Sequence, residues 1–276
     1  MGACSAPVCS CWVSGSCICR SLLLMVYSFN ASRLATVWGG FSTKWYGQLL
    51  HDRQLLDAAW VSLKVAFWTA CASTVLGTMA AMAMVRMRRF PGKTLFGALI
   101  TAPLVMPEVI IGLSILLLLV SMGGVLGTAP RGAVAIWMAH VTFTVLFVTV
   151  VISSRLQELD RSLEEAAMDL GATPLKVFFL ITLPIIAPAL ASGWLLAFTL
   201  SLDDVVIASF LAGPSSTTLP IKVFSSVRLG ISPKINALAT VMVLAVSVAA
   251  VIGWWLLARS KKRRLRDAQL AQQAIA

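Results

Sequence analysis

Charge is what this chain is short of. Asp, Glu, Lys and Arg make up 12% of its 276 residues, where a soluble domain carries about 25%, so a water-exposed globular surface is excluded. A metal-binding pattern is missing too. Five of the six cysteines (Cys4, Cys9, Cys11, Cys17, Cys19) crowd into the first 19 residues, but their C-x-C spacings lack the C-x₂-C pairs of a zinc site and no histidine lies nearby. A phosphate-binding loop is absent as well. RFPGKT (89–94) ends in Gly-Lys-Thr, yet position 87 is Met where such a loop needs Gly, and an apolar run rather than a strand precedes it. Intramembrane proteolysis lacks its motifs: Ser114 lies in IGLS without flanking glycines on both sides, and Asp203-Asp204 is not the separated YD and GxGD pair. No filter-like loop suggests a channel, and there is no internal repeat or low-complexity segment.

What is present is apolar length. Hydrophobic residues reach 59%, and a membrane span needs about 20 of them in a row. Five stretches qualify: Ala58–Val85, Leu95–Met122, Gly132–Ser154, Pro184–Leu211 and Asn236–Leu257. A sixth, Trp12–Phe29, is interrupted by Arg20. The expected fold class is therefore an all-α integral membrane protein, a bundle of five transmembrane helices with a truncated first one. Residues 1–21 form an atypical Cys-rich start, 22–258 the membrane domain and 259–276 a basic tail. Net charge is +11, and its placement orients the chain. The segments Arg86–Thr94, Arg155–Leu183 and the tail after Leu257 hold 13 Lys/Arg, against 7 in the segments on the opposite side. By the positive-inside rule the C-terminus is cytoplasmic. Lys261-Lys262-Arg263-Arg264 directly follows a span, so it reads as an anchor at lipid headgroups rather than a nucleic-acid site.

The spans carry their own signals. Small residues fill Ala58–Val85 and allow close helix approach, and Lys64 snorkels towards its outer end. Pro103 and Pro107 predict a kink in Leu95–Met122. His140 reads as a cross-helix hydrogen-bond partner. Pro184 reads as the first turn of its helix. Trp38, Phe41, Trp45 and Tyr46 predict a short interfacial helix before the spans. Three acids fall inside spans, and such acids mark function by default. Glu108 lies about 20 Å along its helix and Asp203 about 29 Å from Pro184, near the outer mouth. Asp204 shares a stripe with Ala197, Ser201 and Ala208 that is small and polar enough to line a path. The bland alternative is that Asp203 and Asp204 cap or solvate a helix end.

Arg155–Leu183 contains eight charged residues. Each would cost about 2.5–3.5 kcal/mol in hydrocarbon, so the segment leaves the bilayer. Leu156, Leu159, Leu163, Ala166 and Leu170 step by 3 and 4, one face of a helix that can rest on the bundle. Gly171 supplies a C-terminal turn, and Thr173-Pro174 restarts a helix as cap and first position. Pattern alone does not separate this from an ordinary amphipathic linker.

EAA at 165–167, three residues, Gly171, nine residues and Ile181-x-Leu183-Pro184 resemble the signature of permease subunits in binding-protein-dependent ABC importers. APLVMPEVIIGLS (102–114), SLDDVVIASFLAGP (201–214) and TTLPIKVFSSVRLGISPKINALAT (217–240) are similar to the polyamine importers, those for putrescine foremost. The resemblance implies a type I importer permease in a bacterial inner membrane, working by alternating access with no cofactor of its own. It implies four kinds of partner: a second permease subunit, an ATPase dimer that supplies the hydrolysis, a periplasmic polyamine-binding protein and membrane lipid. It also assigns Glu165, Ala166, Ala167 and Gly171 to the joint with the ATPase. An importer of another small cationic solute is the alternative, and an intramembrane enzyme a remoter one. Replacing all five early cysteines with serine is expected to leave assembly and polyamine uptake unchanged. Loss of bound metal together with uptake would reveal a site there.

Overall fold

The computed structural model describes residues 23, 25–32, 39–87, 91–126, 131–214, 216–228, 234–244 and 248. The five early cysteines, Trp38, Trp254-Trp255, and the segments 1–21 and 259–276 lie outside them. Regular structure among the described residues is helical, apart from one isolated antiparallel bridge, Asn30–Phe41. The helices are α1 (Lys44–His51), α2 (Arg53–Arg86), α3 (Lys93–Val105), α4 (Glu108–Leu126), α5 (Ala133–Glu158), α6 (Ser162–Asp169), α7 (Pro174–Asp203), α8 (Val206–Leu211), α9 (Leu219–Arg228) and α10 (Lys234–Leu244).

The chain divides into two compact units, Gln54–Phe224 and the flanking residues 1–53 with 225–276. In the flanking unit α1 is the short helix expected before the spans, but Trp45 packs inward. Its side chain is buried and its Nε1 donates to the Asn30 carbonyl at 2.6 Å. A buried indole needs such an acceptor. Phe29 stacks on Phe41, and the hydroxyls of Ser28 and Tyr46 lie 2.6 Å apart. Helix α10 covers the described start of the expected Asn236–Leu257 span.

In the central unit α2, α5 and α7 are each long and apolar enough to cross a membrane, and α3 with α4 passes as a pair bent by 115°. The kink expected from Pro103 and Pro107 is thus a full break, placed at Met106-Pro107. Met106 is extended, the conformation that a following proline enforces. Pro103 stays inside α3.

The span expected at Pro184–Leu211 also differs at both ends. Its helix starts ten residues earlier, at Pro174, and stops at Asp203. Pro184 therefore lies inside the continuous α7, while standing in the first turn of its α-helical part Leu183–Asp203, as expected. The preceding stretch Phe178–Thr182 is π-helical, with the Leu183 N–H reaching the Phe178 carbonyl. The wider turn accommodates the hydrogen bond that Pro184 is unable to make.

Helix α5 is the centre of the unit. Ile136, Ala139, Val148, Ile152 and Leu156 are fully buried along it. Close approach is set by glycine. A Cβ on Gly77 of α2 would stand 2.8 Å from Val148 Cγ1, and one on Gly193 of α7 would stand 3.2 Å from the same methyl. Val148 is thus held between two glycines on neighbouring helices. Two apolar clusters result, one around Ile136, Phe143, Ile207 and Leu211 and the other around Val148, Ile152, Leu156 and Ile186. Buried polar side chains link the helices near their junction, where Ser73 and Thr144 share a 2.7 Å hydrogen bond. By contrast α3 has no buried residue.

Candidate functional site

Helix α5 ends at Glu158 because the next three residues favour a turn. Leu159 is extended, and the Asp160 carboxylate accepts the Ser162 N–H at 3.0 Å, capping α6. That backbone N–H, followed by the Ser162 hydroxyl, holds the Asp160 carboxyl below the usual carboxylate range. The cap is in place above that range and is lost as pH falls through the lowered value.

The break corrects the continuous apolar stripe expected from Leu156 to Leu170. Leu156 belongs to α5 and is fully buried, whereas Leu163 and Leu170 on and after α6 are 50% and 89% exposed. The apolar edge of α6 therefore faces away from this chain's own bundle.

The turn after α6 matches the sequence expectation. Gly171 has φ +86°. Its N–H bonds the Met168 carbonyl at 2.9 Å and the Ala172 N–H bonds the Ala167 carbonyl at 3.1 Å, the paired bonds of a Schellman cap. Thr173 is extended and Pro174 opens the next helix. Glu165 and Ala166 are exposed and Ala167 is half-buried.

What fastens this segment is a residue that motif reasoning missed. The Glu164 carboxylate accepts from Arg86 Nη2 at 3.0 Å and from the Thr182 hydroxyl at 2.7 Å, with the Arg86 and Glu164 side chains 14% and 15% exposed. Arg161 Nη2 donates to the Val85 carbonyl at 2.7 Å. Helix α6 is thereby tied to the end of α2 and to the π-helical turn of α7. The only local signal was an acid in the first turn of a helix, where the dipole favours it.

The three span acids separate into two situations. Glu108 is the first residue of α4, exposed beside the 115° break, so its depth along one straight helix does not apply. Asp203 is the exposed last residue of α7. Asp204 turns the other way. Its carboxylate accepts the Ala208 N–H at 2.8 Å, the Ile207 N–H at 3.3 Å and His140 Nε2 at 3.1 Å, and its side chain is 6% exposed. His140 Nδ1 lies 2.7 Å from the Ser201 hydroxyl. His140 therefore bridges helices, as expected, and Asp204 caps α8. The stripe of Ala197, Ser201 and Ala208 is buried. It packs within the subunit and does not line an open path, because the chain breaks after Asp203 and α8 folds back on α4. At that contact a Cβ on Gly112 would come within 3.0 Å of Phe210.

The chain shares its fold with a bacterial ABC transporter involved in the import of the acidic polysaccharide alginate, with TM-score 0.65 and 16% identity over 94% of this chain and 99% of that one. An amino acid ABC transporter shares it with TM-score 0.53 and 19% identity over 77% and 98%.

Residues 73–266 match the binding-protein-dependent transport system inner membrane component family, and the chain belongs to it. It is 60% identical over 253 residues to the putrescine transport system permease protein PotI of Escherichia coli K12, covering 91% of this chain and 90% of that protein. It is 41% identical over 242 residues to the spermidine/putrescine transport system permease protein PotC of the same strain, covering 88% and 89%. The Haemophilus influenzae PotC is 40% identical over 231 residues, covering 84% and 87%. The protein is a transport subunit and not an enzyme.

Proposed function

We propose that this subunit forms half of the translocation pathway of an ATP-driven polyamine importer, with putrescine as substrate. The observation that carries the reading is the 60% identity to a putrescine permease across nine-tenths of both chains. The Gly171 turn and the exposed apolar edge of α6 support it. An ATPase dimer docks on α6, Gly171 and Pro174 from the cytoplasm, with Glu165, Ala166 and Ala167 at the joint. A second permease subunit completes the pathway, a periplasmic binding protein delivers polyamine at the opposite end, and lipid surrounds the whole. Five spans cross the inner membrane after a shortened first one, with the C-terminus in the cytoplasm.

Glu108, Asp203 and Asp204 serve the cation path. Carboxylates along it favour a flexible dication and repel an anionic solute. Glu108 and Asp203 supply exposed charge, and Asp204 acts from beneath. The test is uptake of labelled putrescine into proteoliposomes holding the complete importer, with its binding protein loaded. Putrescine is expected to enter in preference to spermidine, and entry of another cation instead would reassign the substrate. Glu108→Gln and Asp204→Asn are each expected to cut uptake by about tenfold at matched membrane abundance, one tenfold step being about 1.4 kcal/mol. Wild-type rates in both variants would remove these residues from the pathway.

A further inference from the structure

We infer that His140 is a positioning residue of the translocation pathway, clamping the break between α7 and α8 so that the Asp203 carboxylate faces the passing cation. The inference rests on the proposed role of Asp203 in that pathway.

The geometry runs outward from the imidazole. His140 is 2% exposed and bonds Ser201 on α7 and Asp204 within the break, and through the Asp204 carboxylate it reaches the Ile207 and Ala208 N–H groups of α8. A carboxylate oxygen accepts, so Nε2 donates to Asp204, while Nδ1 shares a hydrogen bond with the Ser201 hydroxyl. With the two backbone N–H groups of Ile207 and Ala208, the Asp204 carboxylate has three donors and no need of a substrate amine.

Asp203 and Asp204 are adjacent, and one is held inward while the other is exposed. Fixing Asp204 therefore fixes the direction of Asp203. The same anchor sets the start of α8, and α8 meets α4 at Gly112. Gly112 lies four residues after Glu108 and so on the same face of α4. Both exposed acids are thus referenced to one buried ring on α5, the most buried helix of the unit. Nothing else in the described structure joins α5 to this break by side-chain hydrogen bonds.

Two replacements separate positioning from bulk. His140→Gln keeps a donor near the Nε2 position, facing Asp204. His140→Asn keeps one near Nδ1 and withdraws it from Asp204. In proteoliposomes with the ATPase and loaded binding protein, His140→Gln is expected to retain putrescine uptake within about twofold. His140→Asn is expected to lose about tenfold, as when a buried acceptor loses its partner, with ATP hydrolysis continuing, so that fewer putrescine molecules enter per ATP.

Asp203→Asn provides the decisive background. If His140 acts through Asp203, the double variant His140→Asn/Asp203→Asn transports no worse than Asp203→Asn alone. Ser201→Ala, a smaller perturbation, is expected to lose about threefold and likewise to add nothing in that background. It serves if His140→Asn fails to insert. Multiplying losses, or wild-type coupling in both His140→Asn and Ser201→Ala, would overturn the inference and leave the pathway reading standing. Wild-type uptake in Asp203→Asn would overturn both.

Discussion

Replacing Gly171 with valine is expected to cut binding-protein-stimulated ATP hydrolysis by about tenfold while the subunit still inserts and assembles. The cause is conformational. A Cβ at this position would meet nothing within 4 Å, so there is no clash to relieve. The cost comes from φ +86°, which a β-branched residue resists. Forced out of that region, the chain loses the two hydrogen bonds of the Schellman cap and swings α6 away from Pro174. Gly171→Asn is the control, since asparagine tolerates the left-handed region and should keep most of the stimulation. Normal stimulated hydrolysis in the valine variant would dissociate the turn from coupling.

A comparable loss is expected from Glu164→Gln. The carboxylate joins α2 to α7 through Arg86 and Thr182, and it is largely buried. Removing one partner of such a pair leaves the other charge uncompensated, at about 3–5 kcal/mol in fully buried cases. Part of that cost is relieved by the remaining exposure. Stimulated hydrolysis should fall roughly tenfold, with α6 no longer held to the end of α2. Arg86→Gln should do the same, and the double variant should be no worse than the poorer single, since one interaction is removed in each case. Losses that multiply would mean that the two residues act separately.

The parts of this protein readable from sequence are those decided within a few residues. Gly171, Thr173 and Pro174 specify a turn and a restart by their own backbone preferences, and the structure has both. Apolar length located α2, α5 and α7 for the same reason. Where a distant partner decides, the sequence was silent or misleading. Glu164 looked like one more acid beside Glu165, and only the fold brings it to Arg86, 78 residues away. The stripe through Asp204 assumed one unbroken helix, and a histidine 64 residues earlier helps to hold the break. Prolines were ambiguous between first turn and interior. Pro184 does take the first turn of the α-helical stretch Leu183–Asp203, but the π-helical turn at Phe178–Thr182 joins that stretch to the helix before it. Pro107 announced an interruption, but no local signal gave its size, a bend of 115°.

Val148, seated between Gly77 and Gly193, leaves α2, α5 and α7 with no slack where they meet. Interlocked in this way, the three helices transmit movement as a stiff lever does. A displacement at the end that carries Arg86, Glu164 and Thr182 is then expected to reach Asp203 with little loss on the way. On the proposed coupling role of the turn, the stroke at the far end would be set by how far a docked ATPase moved it. A side chain added at Gly77 would loosen the lever at its fulcrum, and the far end would follow only part of that stroke.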